Sequence, residues 1–293
     1  MSRIPLQFAR FVFVSALVAF AASFMGDVHP IGDSLAVFRV WLGLACMLMA
    51  VVLIGHRLRR SGLLILVTGA LAIPILDHVQ IVSQAGGGKY TLYQKNLLFK
   101  NDNHQALIDD FLAVQADFVT VQELWADTLP IWNALLESYP YQLKCYGIGG
   151  NSASILSKWP VVEGTKLCRD YLGYASMQVE VDGQRVWLVS LHLPWPWPFL
   201  QARQVDKIIP LLEKLDGPVL AAGDFNMVPW SSTMRRIEGA TGSQRAGPII
   251  TTLAIGPMRL AIDHILTPEG QGVVTRRPLL GSDHAGLLAQ FDL

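Results

Sequence analysis

Apolar and polar positions are distributed unevenly along the chain. Three long apolar runs come first, and the rest of the chain mixes apolar and polar residues as a globular domain does. The first two runs, at 4–25 and 35–55, have the length that an α-helix needs to cross a bilayer. The third, at 62–78, is shorter and contains Pro74, which fits a tilted span or a buried or interfacial helix. The pattern predicts an all-α segment of three transmembrane helices over residues 1–84.

The composition agrees with a chain that meets lipid. Hydrophobic residues make up 52% of it, charged residues only 16%, and the mean hydropathy is +0.37, which is too apolar for an ordinary soluble protein. The Ala-Gly-Gly-Gly sequence at 85–88 predicts a flexible joint. Residues 85–293 are enough for one α/β domain. This domain has 17 Lys and Arg against 20 Asp and Glu, so no basic surface indicates tight binding of a polyanion.

Basic residues on the short flanks of the runs predict the orientation. Those at the start of the first run and between the second and third runs are Arg3, Arg10, Arg57, Arg59 and Arg60. Positively charged flanks stay in the cytoplasm, so we expect the domain 85–293 to be extracytoplasmic, in an integral protein of a bacterial inner or plasma membrane. If the first run is instead a signal peptide cleaved near Ala21, the domain reaches the same compartment.

Two of the three cysteines fall in the domain, on what the pattern predicts to be neighbouring strands. An oxidising compartment permits a disulfide between Cys145 and Cys168. Cysteines among strands are also commonly just buried, and the sequence leaves both possibilities open. Cys46 lies in the second apolar run, where a small packing residue is expected.

Polar side chains follow several apolar segments of the domain, where predicted strands end. The segment 117–122 leads into Glu123, and the segment 185–191 leads into His192 in the same way. One such residue alone is more often structural than functional. However, α/β proteins place their sites at strand ends, so several such residues together indicate one site.

The most informative strand end is Gly223-Asp224-Phe225-Asn226. Because side chains alternate along an extended chain, we expect Asp224 and Asn226 to point the same way. They offer one charged and one neutral oxygen to a hard cation, a phosphate or an attacking water. An Asx turn after a strand uses the same residues and is the alternative. Asp263, within a further strand, and the turn Ser282-Asp283-His284 add more polar groups.

The complete set resembles the endonuclease/exonuclease/phosphatase superfamily of metal-dependent phosphoesterases, in that family's order. The motifs that carry the resemblance are Asn96, Gln122-Glu123, His192, Gly223-Asp224-Phe225-Asn226, Ile262-Asp263 and Ser282-Asp283-His284. The resemblance implies a four-layer α/β sandwich, with two mixed β-sheets face to face and helices outside. It also implies hydrolysis of a phosphate ester.

The resemblance implies a bound Mg²⁺ or Mn²⁺. Glu123 would be its principal anionic ligand, together with Asn96, and Asp283 would contribute on the metal side of the cleft. The chemistry agrees, because a phosphodiester anion repels nucleophiles and a dication neutralises the charge that develops during attack.

The catalytic roles implied by the resemblance fall on five residues. Asp224 would position or deprotonate the attacking water, and Asn226 would contact the scissile phosphate. His284, oriented by Asp263, would contact the phosphate or act as the base. His192 would contact the phosphate or act as a general acid. The sequence leaves open how Asp224 and His284 divide the work.

The loop 193–199, directly after His192, is rich in Trp and Pro. Its Trp side chains fit packing against the following predicted helix, 199–215, contact with a bilayer or an apolar substrate, or stacking on bases. Three functions therefore stay open: hydrolysis of nucleic acid, hydrolysis of a lipid or inositol-type phosphate ester, and a non-catalytic membrane scaffold. The expected partners are a nucleic acid or lipid headgroup as substrate and the bilayer; no protein partner is indicated.

Overall fold

The computed structural model describes residues 3–55, 87–124, 129–146 and 152–293. The chain divides into two compact units. The N-terminal unit contains residues 1–81 with the short segments 196–198 and 230–232, and the C-terminal unit contains the rest. The expected domain boundary after residue 84 and the third expected span lie outside the described residues.

The described part of the N-terminal unit is helical. Its helices are α1 (Arg3–Ala22), α2 (Ile31–Val37) and α3 (Arg39–Gly55). α1 packs against α3 through two small apolar clusters, one around Phe13 and Ala50 and one around Phe20 and Cys46. These four side chains are buried.

The second expected span is not a single helix. α2 and the part of α3 up to Ala50 together have the length and composition of a span, but they are bent by 71° at Phe38. Arg39, which begins α3, is buried, and its Nε donates to Ser23 Oγ at 3.1 Å. Among the described residues no single helix is both long and apolar enough to cross a bilayer, and the apolar part of α1 covers only Arg10–Ala22. The described helices therefore do not support the expected transmembrane segment.

The C-terminal unit mixes strands and helices. Its strands are β1 (Tyr90–Asn96), β2 (Phe118–Gln122), β3 (Tyr141–Leu143), β4 (Ala153–Ser157), β5 (Leu167–Arg169), β6 (Tyr174–Val181), β7 (Gln184–His192), β8 (Val219–Asp224), β9 (Ser243–Arg245), β10 (Leu253–Ile255), β11 (Met258–Leu260), β12 (Asp263–Pro268), β13 (Val273–Arg276) and β14 (Leu287–Phe291). Its helices are α4 (His104–Val114), α5 (Leu129–Ala134), α6 (Gln201–Leu212) and α7 (Ser232–Thr241). A short 3-10 helix covers Asp170–Leu172.

The strands form two six-stranded sheets and one hairpin. The first sheet has the order β13-β14-β1-β2-β4-β3, the second has the order β5-β6-β7-β8-β12-β9, and β10 pairs with β11. β1 with β2 and β7 with β8 are parallel neighbours, each joined through a helix, α4 or α6, as parallel neighbours require. The other pairs in both sheets are antiparallel. Two mixed sheets flanked by helices confirm the predicted α/β sandwich.

Side-chain alternation decides which residues enter the space between the sheets. Leu92 of β1 and Phe118 of β2 belong to one buried apolar cluster with Leu188 of β7 and Ile265 of β12. Residues of the opposite parity, such as Tyr93, pack instead into a second cluster with apolar residues of α4 and α5. A polar residue with the parity of Leu92 or Leu188 therefore faces the opposite sheet.

A disulfide joins the edges of the two sheets. Cys145 lies just after β3, Cys168 lies in β5, and their Cα atoms are 5.5 Å apart. β3 and β5 are edge strands of the first and the second sheet respectively. Of the two possibilities that the sequence left open for these cysteines, the structure has the disulfide, whereas Cys46 is a free buried thiol.

Candidate functional site

The expected site residues lie at strand ends that face the space between the sheets. Asn96 ends β1 with the parity of Leu92, and Asp224 ends β8. His192 ends β7 and is paired with Asp224 across the parallel strands, and Asp263 begins β12 and is paired with Asp224 on the other side. The register of three neighbouring strands thus places an imidazole and two carboxylates side by side.

Asn96 joins the two carboxylates nearest to it. Its Nδ2 donates to Glu123 Oε1 and to Asp224 Oδ2, each at 3.0 Å. His192 Nε2 lies 3.9 Å from each of the same two oxygens. Ligand atoms of Glu123, His192 and Asp224 lie within 4.8 Å of one another, so a single cation can contact all three.

The backbone turns sharply at Glu123. Its φ is 58°, in the left-handed region that is uncommon for residues other than glycine and that is found disproportionately at functional sites. The turn follows β2 directly and brings the carboxylate back toward Asn96. Glu123 Oε2 accepts a hydrogen bond from the Phe99 N–H at 3.1 Å, so both oxygens are held. The side chain keeps 17% of its surface exposed, so a substrate can reach it.

Asp224 directly follows a glycine at which β8 lies very close to β7. A Cβ on Gly223 would lie 1.9 Å from the carbonyl oxygen of Leu191, so this approach requires glycine. Asp224 ends the strand, and its Oδ1 accepts the Asn226 N–H at 2.9 Å, which is an Asx turn. Strand alternation does not extend to Asn226, because the strand ends at Asp224 and Asn226 has a φ of 47°; its expected contact with the phosphate stays a prediction. The Asn226 amide donates to the Leu193 carbonyl at 2.8 Å.

His284 links the second pair of carboxylates. Its Nδ1 lies 2.8 Å from Asp263 Oδ2, and its Nε2 lies 3.8 Å from Asp224 Oδ2. Ser282 fixes the turn that carries it, because its hydroxyl accepts the His284 N–H at 3.1 Å and donates to the Asn96 carbonyl at 2.8 Å. Asp224 therefore belongs to two clusters, one with Glu123 and the other with Asp263 and His284.

Burial and neighbouring charges set the protonation of this site. Burial raises the pKa of Asp224 to about 7. Burial opposes ionisation of Asp263 as well, but the adjacent His284 outweighs it and lowers the pKa of Asp263. Burial lowers the pKa of His284, but the charges of Asp263 and Asp224 outweigh it and raise the pKa to about 10. At neutral pH the imidazolium of His284 is thus paired with the Asp263 carboxylate, and Asp224 is the group poised to take up a proton.

Two of the expected metal ligands do not present an oxygen to the clusters in this structure. Asp283 is exposed and joins neither of these clusters. Asn96 Oδ1 accepts the Leu98 N–H at 2.9 Å, so the amide turns its nitrogen toward Glu123 and Asp224. Coordination through Asn96 requires the amide to turn by half a rotation. Both residues stay predictions as metal ligands.

Sequence reasoning overlooked two residues beside Asn96. Gln94 and Lys95 precede it in a strand whose residues are almost all buried. The Lys95 ammonium donates to the carbonyls of Leu279 at 2.8 Å and Pro278 at 3.2 Å and to that of His284, and burial lowers the pKa of Lys95 to about 8. It therefore holds the loop that carries His284. Three consecutive polar residues in an apolar strand were the signal that could have found both.

The donor set fits a hard divalent cation. Carboxylate oxygens, such as those of Glu123 and Asp224, are the ligands that Mg²⁺ and Mn²⁺ prefer, and Mn²⁺ also accepts an imidazole such as that of His192. Asp224 is a buried carboxylate whose ionisation is opposed by burial, and a dication beside it would favour the charged form. The residues present therefore fit the metal that the family resemblance implied.

The comparisons with known proteins agree with this geometry. A family model described as "Endonuclease/Exonuclease/phosphatase family" matches residues 93–284, which is more than half of the chain and includes every one of the eight expected site residues. A comparison with curated proteins gave no match.

Several solved structures share the fold. Beta toxin from Staphylococcus aureus, a mutant with bound magnesium ions, has a TM-score of 0.56 at 14% identity, covering 69% of this chain and 99% of that one. D. rerio TDP2, complexed with a single-strand DNA product, has a TM-score of 0.54 at 17% identity, covering 70% and 99%. Sphingomyelinase C from Streptomyces griseocarneus has a TM-score of 0.50 at 19% identity, covering 69% and 99%. At these identities the likeness shows the fold.

Proposed function

The chain belongs to the endonuclease/exonuclease/phosphatase family, and from that premise we propose that its C-terminal unit hydrolyses phosphodiesters with Mg²⁺ or Mn²⁺. The observation that carries the proposal is the position of Asp224. It is shared between a cluster suited to a cation, with Glu123 and His192, and a hydrogen-bonded pair, Asp263 and His284. A phosphate between the two clusters would meet a cation on one side and a positioned imidazole on the other.

The residues of this chain then divide the work as follows. A bound dication supplies neutralisation of the charge that develops on the phosphate. Asp224, held by the Asn96 side chain and the Asn226 N–H and kept ionised by a dication beside it, would accept the proton of the attacking water. His284, protonated at that pH, donates a charged hydrogen bond to a phosphate oxygen while Asp263 holds its ring. This division favours Asp224 over His284 as the base.

Nucleic acid is our first candidate substrate, because the TDP2 relative is bound to a single-strand DNA product. A lipid phosphodiester is the second, favoured by exposed aromatic residues on segments tied to the site. Phe99, 43% exposed, donates its N–H to Glu123. Tyr171, 62% exposed, lies two residues before Gly173, whose carbonyl accepts the His192 N–H at 2.8 Å. Exposed apolar groups at a site fit an apolar substrate.

We also propose that the protein is attached to a membrane and that the C-terminal unit is extracytoplasmic. Large apolar side chains on α1 and α3 are exposed, including Phe8 at 68%, Phe11 at 70% and Leu48 at 67%, and faces of this kind fit contact with lipid. The Cys145–Cys168 disulfide fits an oxidising compartment. Membrane fractions washed at alkaline pH should retain the protein, and protease added to spheroplasts should digest the C-terminal unit; a protected or cytosolic protein would contradict this.

Activity can be tested with the full chain purified in detergent. The substrates are single-stranded DNA, plasmid DNA, sphingomyelin vesicles and bis(p-nitrophenyl) phosphate, each with Mg²⁺, Mn²⁺ or a chelator. We expect turnover of at least one phosphodiester that stops with chelator. Cleavage of sphingomyelin without cleavage of DNA selects the second candidate. No turnover with any metal would contradict the proposal and favour a non-catalytic scaffold.

A further inference from the structure

Gln94 lies in the space between the sheets and contacts Asp263 of the Asp263–His284 pair. It has the parity of Leu92 on β1, so its side chain points toward the second sheet, and it is fully buried. Its Nε2 donates to Gln122 Oε1 at 2.8 Å and to Asp263 Oδ1 at 2.8 Å. Both hydrogens of the amide nitrogen are thus used on two acceptors of different strands.

The two acceptors fix the orientation of the Gln94 amide. Turning it over would place its oxygen against Asp263 Oδ1 and against Gln122 Oε1, with no hydrogen between them. Burial makes such contacts costly, because no water is at hand to relieve them. In the orientation adopted, Gln94 Oε1 has no hydrogen-bond partner among the described residues. The hydrogen bonds of this amide are therefore made by its nitrogen.

Gln122 continues the chain of hydrogen bonds toward the second sheet. Its Nε2 donates to Ser190 Oγ at 3.0 Å, and the Ser190 hydroxyl lies 3.4 Å from the Val121 carbonyl. Gln122 directly precedes Glu123. The same series of amides therefore connects the strand that delivers the cation ligand with the strand that delivers Asp263.

Gln94 leaves Asp263 with one free oxygen for His284. Asp263 Oδ1 accepts the Gln94 amide, and Asp263 Oδ2 receives His284 Nδ1 at 2.8 Å. The Thr252 side chain also hydrogen-bonds to this carboxylate, so Gln94 shares the work of holding it. A carboxylate held at both oxygens cannot rotate about its Cβ–Cγ bond without losing one of the contacts. The plane of the carboxylate, and with it the direction of the His284 ring toward Asp224, is thereby fixed.

We propose that Gln94 is a positioning residue for phosphodiester hydrolysis, which acts by holding Asp263 so that His284 Nε2 faces the substrate. The inference rests on the proposed function in assigning His284 to the reaction. The effect on the geometry of the Asp263–His284 pair is independent of any substrate.

The activity test uses Gln94→Leu, which keeps the volume and removes the donor. We expect kcat to fall on the order of 10- to 100-fold, as for other partners that orient a catalytic group from behind, with KM within about twofold because Gln94 does not touch the substrate. In an Asp263→Ala background the same change should alter kcat less than about twofold, because nothing is left for Gln94 to position. Equal losses in both backgrounds would overturn the proposal.

The matched control is Gln105→Leu, which removes an exposed glutamine whose amide donates to Asp109 within α4 at 2.8 Å. It should leave kcat unchanged. If Gln94→Leu fails to fold, Gln94→Asn gives the same test, because its amide is one methylene too short to reach both acceptors. We expect the same loss of kcat from the shorter amide.

A second readout separates this inference from the proposed function. The Nδ1–H proton of His284, identified by its loss in His284→Asn, reports the hydrogen bond to Asp263 in the NMR spectrum of full chain without substrate. Gln94→Leu should shift or broaden this signal, and Gln105→Leu should not. A shifted signal in a protein that turns over no phosphodiester would refute the proposed function and keep the positioning role. An unchanged signal would sink the positioning role even in an active enzyme.

Discussion

Asp224 and Asp263 are paired across β8 and β12, both are buried, and the ring of His284 reaches both carboxylates. One imidazolium neutralises one carboxylate, and it pairs with Asp263 at 2.8 Å rather than with Asp224 at 3.8 Å. Asp224 is left as a buried acid whose ionisation opposes folding. A site of this kind is unfavourable for the empty protein and becomes favourable when a cation is bound.

Asp224→Asn should therefore abolish activity and stabilise the metal-free protein. Folded Asp224 keeps its proton up to about pH 7, whereas the unfolded chain releases it near 3.8. The folded state thus binds more protons between these values, so this group makes the protein less stable as pH rises from about 4 to about 7. At pH 8 with chelator, the free energy of unfolding measured in urea should be higher for Asp224→Asn than for the wild type, by an amount on the order of 1–3 kcal/mol.

Metal provides the internal check on that prediction. Mg²⁺ or Mn²⁺ should raise the melting temperature of the wild type more than that of Asp224→Asn, because only the wild type has this carboxylate to offer. Asp216→Asn, a change outside the site clusters, is the matched control. It should leave the free energy of unfolding and the metal-induced rise in melting temperature as in the wild type. A variant less stable than the wild type at pH 8 would refute the electrostatic account.

Glu123→Gln should weaken metal binding with little effect on folding. The amide oxygen can still accept the Phe99 N–H, but the change removes the negative charge of a side chain that keeps 17% of its surface exposed. We expect turnover to fall at least about 100-fold, and the metal concentration for half-maximal activity to rise about tenfold or more. Measuring turnover at increasing metal concentrations gives both the maximal rate and the metal concentration for half-maximal activity. Circular dichroism checks that the variant is folded.

Glu137→Gln is the control for this change. Glu137 is exposed, and the same loss of charge there should leave the metal dependence as in the wild type. Unchanged turnover in Glu123→Gln would remove Glu123 from the list of ligands. The cation would then have to lie between Asp224 and His192, or in the second cluster with Asp263 and His284.

Apolar runs with polar ends were enough to predict several strands and a shared site, whereas the two-sheet sandwich and the roles of the residues were implied by the family resemblance. Glu123, His192 and Asp224 come together because each lies at the end of a buried strand, and that follows from the apolar runs before them. Local patterns could not show that β8 stops at Asp224, so alternation along a strand could not predict the position of Asn226. The backbone there turns to satisfy the Asp224 carboxylate, which competes with the strand ladder.

Contacts between strands that are far apart in the chain could not be predicted from local sequence patterns. Gln94 meets Asp263 only because β1 and β12 belong to facing sheets, 169 residues apart in the chain. The register that joins them is set by both sheets together. Hydropathy likewise measures how apolar a segment is, but it does not predict the 71° bend at Phe38. Next to this bend, the Arg39 side chain donates a hydrogen bond to Ser23.

Removing the disulfide should destabilise the C-terminal unit. Cys145 and Cys168 are 23 residues apart, and closing a loop of that length in the unfolded chain is worth about 3 kcal/mol in the chain-entropy model. The double variant Cys145→Ser and Cys168→Ser should lose about that much in urea unfolding, and dithiothreitol should destabilise the wild type and spare the variant. Cys46→Ser, which leaves the disulfide intact, is the control. Equal sensitivity of all three proteins to the reductant would contradict the prediction.

His264 should make the folded protein sensitive to acid. It is buried, its Nε2 lies 2.7 Å from the Met227 carbonyl, and burial lowers its pKa to about 4 from 6.5. Below pH 6.5 the unfolded chain takes up a proton that the folded chain refuses, so the free energy of unfolding falls as pH drops from about 6.5 to about 4. The full effect of this one group is about 3 kcal/mol.

Between about pH 7 and about pH 4, Asp224 changes the free energy of unfolding in the opposite direction to His264. The two contributions therefore partly cancel in the wild type. The measurement therefore compares Asp224→Asn with Asp224→Asn/His264→Gln, by urea unfolding at pH values from 7 to 4.5. Glutamine does not titrate and keeps a donor for the Met227 carbonyl, so it should flatten the acid slope. His104→Gln in the same background removes a half-buried histidine at the start of α4 and should leave the slope unchanged. If the slope persists without His264, the acid sensitivity belongs to another group and the buried imidazole is not its cause.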